Sequence, residues 1–392
     1  MWFDKALPFS APAFFLFMGM AIVLFHLVKR FGSQLISYRI LLSIVTLVFA
    51  LVYLPKPFHL IGLILYLYAC LGGLRKWYEG QNIIFPMLLL ALPMLFMKYF
   101  SIVSFTDDNW WKNTPGIFQI TGISYMVFRA IGLYIDERSK PGKINFIDFF
   151  NFASFVPTLL IGPLDRFHRF TNDVKNGYQN MTSALTYQGW NNLLMGLLYK
   201  FILAEAIHRL VLVHLIDDGS LVYHMSYMYT YLLYLYFDFA GYSLLAIAFG
   251  NFIGIHVPIN FDKPFLAVNP KEFWKKWHKS LGDWLNDYFF KPLFMHFTKK
   301  KWGTSIRRQN SALFLTFALM GFWNGFELHY IISGMLFGVY SVIHNYYFYQ
   351  CKKQKRDVVF GKLNERWIRI ISIVIMFHAV AFAIYIFSGK LF

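Results

Sequence analysis

The sequence predicts an all-α protein that crosses a membrane about ten or eleven times. Of its 392 residues, 57% are hydrophobic and 21% are aromatic. Only 15% are charged, whereas soluble globular proteins carry about 25% charged residues. Apolar runs close to the roughly 20 residues that a membrane-spanning helix needs recur along the whole chain. These observations indicate a polytopic membrane protein.

The apolar runs can be followed in order from the N-terminus. They occupy residues 11–29, 38–54, 58–75, 82–103, 117–135, 190–216, 222–253, 311–323, 328–348 and 368–388. Residues 149–164 are also apolar, but Pro157, Gly162 and Pro163 interrupt them, which favours a re-entrant or interfacial segment. With no soluble domain, internal repeat or Walker-type glycine loop in the sequence, we expect one integral membrane domain over residues 1–392.

The charged loops predict the orientation of the chain. Basic residues cluster in alternate loops, at Lys29, Arg30, Arg39, Arg75, Lys76, Arg138, Lys140 and Lys143. The other loops carry the acidic pairs Asp107 with Asp108 and Asp217 with Asp218. The positive-inside rule places the N-terminus outside and residues 262–308 on the cytoplasmic side. The net charge of +17 therefore reflects topology and contact with anionic lipids, and we expect no nucleic-acid partner.

The segment from Asn260 to Trp284 is too polar to cross a bilayer and too aromatic for an ordinary solvated loop. Its simplest interpretation is an interfacial helix, because apolar residues recur at three- and four-residue steps, namely Phe273, Trp274, Trp277, Leu281 and Trp284. Its wet face carries Lys271, Lys275, Lys276 and Lys279. His278 lies at the border of the stripe, where it is either a structural hydrogen-bonding group or a catalyst.

Polar residues inside other apolar runs are further candidates, since they are costly in a membrane. Arg129 precedes Asp136 in one run, and Asp238 lies in another. Internal salt bridges are the simpler interpretation of these residues. Asp165 and Arg166 follow a Gly-Pro break and either bind an anionic headgroup or phosphate, or belong to a plain basic loop.

A glycine-rich break at residues 319–330 separates the apolar runs 311–323 and 328–348. We expect two helices joined at Trp323-Asn324-Gly325, with Glu327 and His329 close to the junction. Broken helices at bilayer depth are tolerated where they line a cavity, so this is the best cavity candidate in the sequence. His329 is a candidate general base. Neither cysteine has a metal-ligand spacing, and we expect no metal site.

Several motifs in order resemble the membrane-bound O-acyltransferase family, in particular its branch that transfers D-alanine to teichoic acids in Gram-positive bacteria. They are Gly122-Ile-Ser-Tyr-Met-Val-Phe-Arg-Ala-Ile-Gly132, Gly162-Pro-Leu-Asp-Arg-Phe167, Phe237-Asp-Phe-Ala-Gly-Tyr-Ser243, Pro258-Ile-Asn-Phe-Asp-Lys-Pro-Phe265 and Lys271-Glu-Phe-Trp-Lys-Lys-Trp-His-Lys-Ser-Leu281. The resemblance covers most of the chain.

The resemblance implies tilted helices around a central tunnel in the plasma membrane. An acidic carrier protein supplies the acyl group as a phosphopantetheine thioester, so the enzyme itself binds no cofactor. The acceptor is a teichoic acid hydroxyl that arrives from outside. An imidazole removes the hydroxyl proton while polar donors stabilise the oxyanion. His278 matches one of the two family histidines. The binding candidates are Arg129, Asp165, Arg166, Asp238, Lys271, Trp274, Lys275, Lys276, Trp277 and Ser280.

The second family histidine is absent. The family pattern is Gly-x-Trp-His-Gly, whereas this chain has Gly321-Phe-Trp-Asn-Gly325, so Asn324 takes the position of the histidine. In a continuous helix His329 is rotated roughly 140° from Asn324, unless a break at Gly325 realigns it. His329 substitutes, His278 suffices alone, or the chain is a weakened or non-catalytic relative. A polysaccharide O-acetyltransferase and a carrier- or lipid-binding scaffold are the alternative functions.

Overall fold

The computed structural model describes residues 12–54, 57–74, 84–103, 122–139, 142–355 and 364–392. Within these ranges the regular structure is helical, and the described residues form no β-strand. The chain forms two compact units. Unit 1 contains Met1–Gly196 and Tyr242–Pro258, and unit 2 contains Leu197–Gly241 and Ile259–Phe392. The single domain expected over residues 1–392 remains a prediction.

Unit 1 contains most of the N-terminal helices. They are α1 (Pro12–Phe31), α2 (Tyr38–Tyr53), α3 (Pro57–Gly73), α4 (Ile84–Val103), α5 (Ile123–Ser139), α6 (Phe146–Ala153), α7 (Phe167–Lys175), α8 (Gly177–Asn180) and α9 (Ser183–Leu197). The segment after α6 continues as a short 3₁₀ turn, Val156–Thr158. The apolar stretch at 149–164 therefore forms no continuous spanning helix, as its prolines predicted.

Unit 2 contains the remaining helices. They are α10 (Glu205–Leu210), α11 (Leu221–Phe252), α12 (Pro270–Trp274), α13 (Lys279–Leu285), α14 (Lys291–Lys299), α15 (Ser305–Asn324), α16 (Leu328–Lys353) and α17 (Glu365–Phe387). A π-helical turn, Leu198–Ala204, precedes α10. The long helix α11 contributes its first part to unit 2 and its last part to unit 1.

Within the described residues, each apolar run found in the sequence contains helical structure. The helices Pro12–Phe31, Leu221–Phe252 and Glu365–Phe387 are long and apolar enough to cross a membrane by length and composition. Shorter apolar helices occupy Tyr38–Tyr53, Pro57–Gly73 and Ile84–Met97. The all-α polytopic fold class is thereby confirmed. The number of crossings and the central tunnel remain predictions.

The helices α15 and α16 form a hairpin and pack closely against each other through small residues. An ideal Cβ on Gly334 would lie 2.7 Å from Gly321 Cα and 2.7 Å from the Phe317 carbonyl oxygen. Glycine at both positions lets the two backbones approach closely. The hairpin turns after Asn324, and α16 begins at Leu328. The predicted junction at Trp323-Asn324-Gly325 is therefore confirmed.

The two helices of the hairpin carry basic residues at the same end. Arg307 and Arg308 lie in the first turn of α15, and Lys352 and Lys353 lie in the last turn of α16. Because the two helices are antiparallel, both pairs lie at the same end, which we call the basic end of unit 2. Of the residues used to predict topology, Arg75, Lys76, Asp107, Asp108 and Lys140 lie outside the described residues.

Candidate active site

His278 lies between α12 and α13 in unit 2 rather than within a continuous interfacial helix. Its backbone adopts the left-handed conformation, with φ 43° and ψ 48°, and it precedes the first residue of α13. Non-glycine residues seldom occupy this region, and histidine is among those enriched there. Such a conformation costs on the order of 1 kcal/mol and persists where surrounding contacts enforce it.

Those contacts come from the extended segment that follows Pro258. The amide of Asp262 donates to the Lys276 carbonyl at 2.9 Å, and the amide of Lys279 donates to the Asn260 carbonyl at 2.9 Å. The Ser280 hydroxyl donates to Asn260 Oδ1 at 2.5 Å. Asn260 is fully buried. Asn260 thus binds the two residues that follow His278, Lys279 through its backbone carbonyl and Ser280 through its side chain.

Sequence reasoning did not assign a role to Asn260. A signal was present, because an asparagine stands where the polar segment begins, inside the Pro258–Phe265 motif. A buried amide needs hydrogen-bond partners, and a nearby Ser280 supplies one. Ser280 was proposed as a binding residue; the structure shows its hydroxyl bonded to Asn260.

Aromatic rings surround the imidazole and its neighbour Trp277. The Phe239 ring of α11 meets the His278 ring at 4.7 Å and 83°. Trp277 is buried, with Phe273 at 5.6 Å and Phe261 at 5.1 Å. Edge-to-face and stacked contacts of this kind add about 0.5–1.5 kcal/mol beyond burial. The packing keeps water away from the imidazole.

The imidazole itself has an unused nitrogen. His278 is 7% exposed, and its Nε2 atom has no hydrogen-bond partner among the described residues. Burial lowers the pKa of His278 to about 3, because a charged imidazolium is poorly solvated in this environment. At neutral pH the ring is therefore neutral and carries a nitrogen lone pair. A buried polar atom without a partner needs an explanation, and a substrate group is one.

Trp274 carries a second unpaired group on the same segment. Its Nε1 atom is buried without a hydrogen-bond partner among the described residues. The indole ring packs against Phe317 of α15 at 5.2 Å and Phe337 of α16 at 4.9 Å. Trp274 thus anchors α12 on the α15–α16 hairpin and presents one N–H donor that the fold leaves unused.

The lysines of this segment differ in their surroundings. Lys276 Nζ is paired with Glu272 at 2.7 Å. Lys271, Lys275 and Lys279 are exposed and recur at four-residue intervals along the chain. These three side chains are available to a partner with negative charge, whereas Lys276 already has a carboxylate neighbour.

Asn324 and His329 lie farther along the hairpin. The Asn324 amide donates to the Met320 carbonyl at 2.9 Å, and the His329 ring packs on Tyr330 at 4.0 Å between centroids. Asn324 lies seven residues beyond Phe317, hence about 10 Å along α15, and His329 a comparable distance along α16 from Phe337. Within the described residues, no hydrogen bond or ring contact joins either side chain to His278.

The remaining candidates hold the fold together through described contacts. Arg129 of unit 1 is buried and donates to the carbonyls of Phe152, Ala153 and Thr158 at 2.8–2.9 Å, which ties α5 to the segment after α6. Asp165 pairs with Arg169 at 2.6 Å.

Asp238 forms an ion pair with Lys200 from the π-helical turn before α10. Sequence reasoning expected an internal ion pair for Asp238 but did not name Lys200. Asp165 also accepts a hydrogen bond from the amide of Arg166, at 2.6 Å. Burial raises the pKa of the Asp165 carboxyl, against the opposite effect of the Arg169 charge.

The arrangement around His278 suits proton transfer better than metal chemistry. Among the described residues, no group of three or more His, Cys, Asp or Glu side chains lies close enough together to hold a metal ion. A neutral imidazole in a dry, aromatic environment can accept a proton from a hydroxyl that binds against it.

Comparison with known proteins decides the family. The profile of MBOAT, the membrane-bound O-acyltransferase family, matches residues 110–387. The chain belongs to the membrane-bound O-acyltransferase family. The resemblance of its sequence motifs to this family is thereby confirmed, and the protein is an acyltransferase. The roles of its individual residues remain predictions.

Two relatives match almost the whole chain, and a third matches part of it. The teichoic acid D-alanyltransferase of Bacillus subtilis (strain 168) is 32% identical over 98% of this chain and 98% of its own length. The teichoic acid D-alanyltransferase of Streptococcus thermophilus is 31% identical over 98% and 95%. A Pseudomonas fluorescens protein named as an alginate O-acetylase is 32% identical, but over 57% of this chain and 44% of its own.

Proposed function

We propose that this membrane-bound O-acyltransferase transfers D-alanine from a carrier-protein thioester to a hydroxyl of teichoic acid. The observation that carries the proposal is similarity from end to end with teichoic acid D-alanyltransferases, over 98% of both chains in the Bacillus subtilis case. Similarity to the alginate O-acetylase relative covers little more than half of the chain.

The proposed chemistry is one acyl transfer without a redox change. The acceptor oxygen attacks the thioester carbonyl carbon, a C–O bond forms, and the C–S bond breaks. The hydroxyl proton passes to the imidazole of His278 and then to the departing thiolate of the phosphopantetheine arm. Support for this role comes from the buried Nε2 atom, which has no hydrogen-bond partner among the described residues. The imidazole is neutral at the pH of the cytoplasm and can accept a proton.

Asn324 and His329 have a different part in this proposal. An amide cannot take up a proton near neutral pH, but its N–H₂ group can donate to an oxyanion. Because α15 ends at Asn324, the rotation of roughly 140° that a continuous helix would impose between Asn324 and His329 does not apply. We propose Asn324 as an oxyanion donor and His329 as a second imidazole at the same break.

Docking of the carrier is proposed for the exposed lysines around α12 and for the basic end of unit 2. Lys271, Lys275 and Lys279 are exposed and suit an acidic carrier protein. Trp274 offers its unpaired Nε1–H to the incoming arm. By the positive-inside rule this end faces the cytoplasm of a Gram-positive cell and the N-terminus lies outside.

The test is transfer by the reconstituted protein. Purified protein in lipid vesicles is given D-alanyl-loaded carrier and lipoteichoic acid, and ester-linked D-alanine on the acceptor is measured. We expect transfer by the wild type and a loss of at least about a hundredfold in His278→Asn, since general base catalysis contributes about 10²–10⁴-fold. Asparagine also tolerates the left-handed backbone at this position.

Two outcomes contradict the proposal. Absence of transfer by the wild type with active donor and acceptor leaves a carrier- or lipid-binding scaffold as the function. Full activity of His278→Asn removes His278 as the base. The same assay with an acetyl donor and an exported polysaccharide tests the O-acetyltransferase alternative, which the Pseudomonas relative brings into consideration.

A further inference from the structure

One ion pair of unit 2 joins two segments of the chain within apolar sequence. Lys200 Nζ donates to Asp238 Oδ1, and the two side chains are 10% and 27% exposed. Asp238 belongs to α11, one of the helices that are long and apolar enough to cross a membrane. Charged side chains in such helices are costly and commonly have a function. Since a buried ion pair often stabilises a fold no better than an apolar contact does, this pair needs an explanation beyond stability.

Lys200 lies in the π-helical turn Leu198–Ala204. Turns of this kind are rare and frequently lie at functional sites. The preceding residue, Tyr199, packs its ring against Phe237 at 5.2 Å and 84° and against Tyr236 at 6.3 Å. The π-helical turn thus contacts three consecutive residues of α11, through two ring contacts and the ion pair.

The same stretch of α11 also contacts the segment that carries His278. The Phe239 ring meets the His278 ring at 4.7 Å and the Phe261 ring at 5.0 Å. The Tyr236 ring meets the Phe261 ring at 5.6 Å. Within about one helical turn, residues 236–239, α11 therefore contacts both the π-helical turn and the candidate active site.

Phe239 covers the imidazole from the side of α11. Within the described part of the chain, it is the aromatic residue whose ring contacts the ring of His278. His278 is buried, and water is kept from its ring only as long as this contact is maintained. The position of Phe239 therefore bears directly on the surroundings of the imidazole.

Helix geometry couples the ion pair to that contact. Successive residues of an α-helix are rotated by about 100° and rise by about 1.5 Å, so Asp238 and Phe239 leave the helix in different directions at nearly the same height. A rotation of α11 that separates the ion pair also moves the Phe239 ring relative to the imidazole. Polar and charged contacts within apolar packing can fix the register of a helix, which interchangeable apolar contacts do less well.

We propose that Lys200 and Asp238 are positioning residues for the active site. Their ion pair holds α11 in the orientation at which the Phe239 ring covers the imidazole of His278. The inference rests on the proposed function, in which His278 is the proton acceptor. A covered imidazole stays dry, so that a bound hydroxyl rather than water becomes its hydrogen-bonding partner. Loss of either charge leaves the other unpaired, which draws in water and uncovers the ring.

The test measures how well the His278 ring is covered and needs no transfer reaction. Protein in nanodiscs is treated at neutral pH with diethyl pyrocarbonate, which acylates accessible imidazoles, and mass spectrometry follows the labelling rate of each histidine. His168 of unit 1, whose side chain is 58% exposed, is the internal reference. We expect wild-type His278 to react more slowly than His168. Asp238→Asn should raise the rate at His278 by about tenfold or more.

A double variant, Lys200→Met with Asp238→Leu, separates positioning from stability. Replacing a buried ion pair with apolar side chains of similar volume often leaves stability unchanged. We expect this protein to melt with the wild type, and yet its His278 ring should be labelled about tenfold faster. Lys200→Arg keeps a charge-assisted bond to Asp238 and should be labelled at the wild-type rate.

Glu205→Gln is the matched control. It removes the ion pair of Glu205 with Arg209 in α10, the helix that directly follows the π-helical turn. Among the described residues, no hydrogen bond or ring contact joins that pair to α11 or to His278. We expect its labelling rate at His278 to equal that of the wild type.

Four results overturn the proposal. They are wild-type His278 labelled as fast as His168, wild-type labelling in the double variant, an equal rise in Glu205→Gln, and faster labelling only in proteins that melt below the wild type. The double variant decides the question if Asp238→Asn fails to fold. Because labelling uses neither carrier nor acceptor, absence of D-alanine transfer contradicts the proposed function alone and leaves this measurement intact.

Discussion

His278 combines a left-handed backbone with an imidazole nitrogen buried without a partner. Each feature is unfavourable by itself, and the surrounding hydrogen bonds to Asn260 and the aromatic contacts compensate for them. Strained and unsatisfied groups concentrate at functional sites. At the scale of single residues, these two features make His278 the residue that we expect to carry the chemistry.

Acid should destabilise the protein through His278. Its folded-state pKa of about 3 lies below the ordinary value of 6.5, so the unfolded chain binds the proton more readily. The stabilising effect of the neutral ring is complete above pH 6.5 and is lost as pH falls toward 3. By pH 5 the loss is about 2 kcal/mol.

The measurement compares wild type with His278→Asn, which keeps the backbone conformation but does not titrate. Melting temperatures in detergent between pH 7 and pH 5 should fall more steeply for the wild type. Parallel curves for the two proteins would show that the imidazole is not held neutral by burial.

Asn324 should limit the rate of transfer. Replacing it with histidine restores the family residue at the end of α15 and adds a second proton acceptor. We expect Asn324→His to raise the rate constant for transfer by about tenfold or more, within the range of general base catalysis. The measurement is kcat for ester formation with carrier in excess.

Asn324→Gln is the control, because it keeps an amide and adds no imidazole. It should not exceed the wild-type rate. If Asn324→His is no faster than wild type, Asn324 already performs the function that the site requires, and His278 or His329 supplies the base.

At the scale of elements, the hairpin of α15 and α16 holds Trp274 of the candidate site through both of its helices. Its helices carry Phe317 and Phe337, which hold Trp274, and its turn carries Asn324. The close contact of Gly321 with Gly334 fixes how these side chains are spaced.

Adding a methyl group at that contact should loosen the hairpin. In Gly334→Ala the new Cβ meets backbone atoms at 2.7 Å, so the helices must separate, at a cost of about 1–3 kcal/mol. The melting temperature should fall and transfer activity should fall with it. The control Gly19→Ala in α1 has no atom within 4 Å of its new Cβ. A Gly334→Ala protein as stable as Gly19→Ala would refute this account of the hairpin.

At the scale of the whole molecule, basic residues outnumber acidic ones, which suits partners with negative charge. The chain has 37 basic and 20 acidic residues, and exposed lysines recur around α12. Surface charges act through association rates and are screened by salt within about 8–10 Å at physiological ionic strength.

Reversing one of these charges should weaken carrier binding. We expect Lys275→Glu to reduce carrier affinity by about tenfold at low salt, with the difference shrinking as ionic strength rises. Lys390→Glu makes the same charge change just beyond the end of α17 and should leave carrier affinity unchanged. Surface plasmon resonance against immobilised carrier measures both. Binding that is insensitive to salt and to Lys275→Glu would indicate an apolar docking surface.

The amino-acid sequence by itself determined the helical class, the positions of the apolar helices, the break at Asn324 and the family. Long apolar runs and proline interruptions are local properties, so they survive in any tertiary arrangement. The periodicity of residues 260–284 was misleading in one respect. It predicted a single interfacial helix, whereas the structure has two short helices with His278 between them.

Tertiary structure decided what the local pattern could not encode. Asn260 is distant from Ser280 in sequence, and Lys200 is distant from Asp238, yet each pair meets in the fold. The left-handed backbone of His278 and its dry environment arise from Asn260 and Phe239, which no periodicity links to it. Burial and long-range hydrogen bonds depend on which segments pack together, and therefore the state of the imidazole was set by the fold.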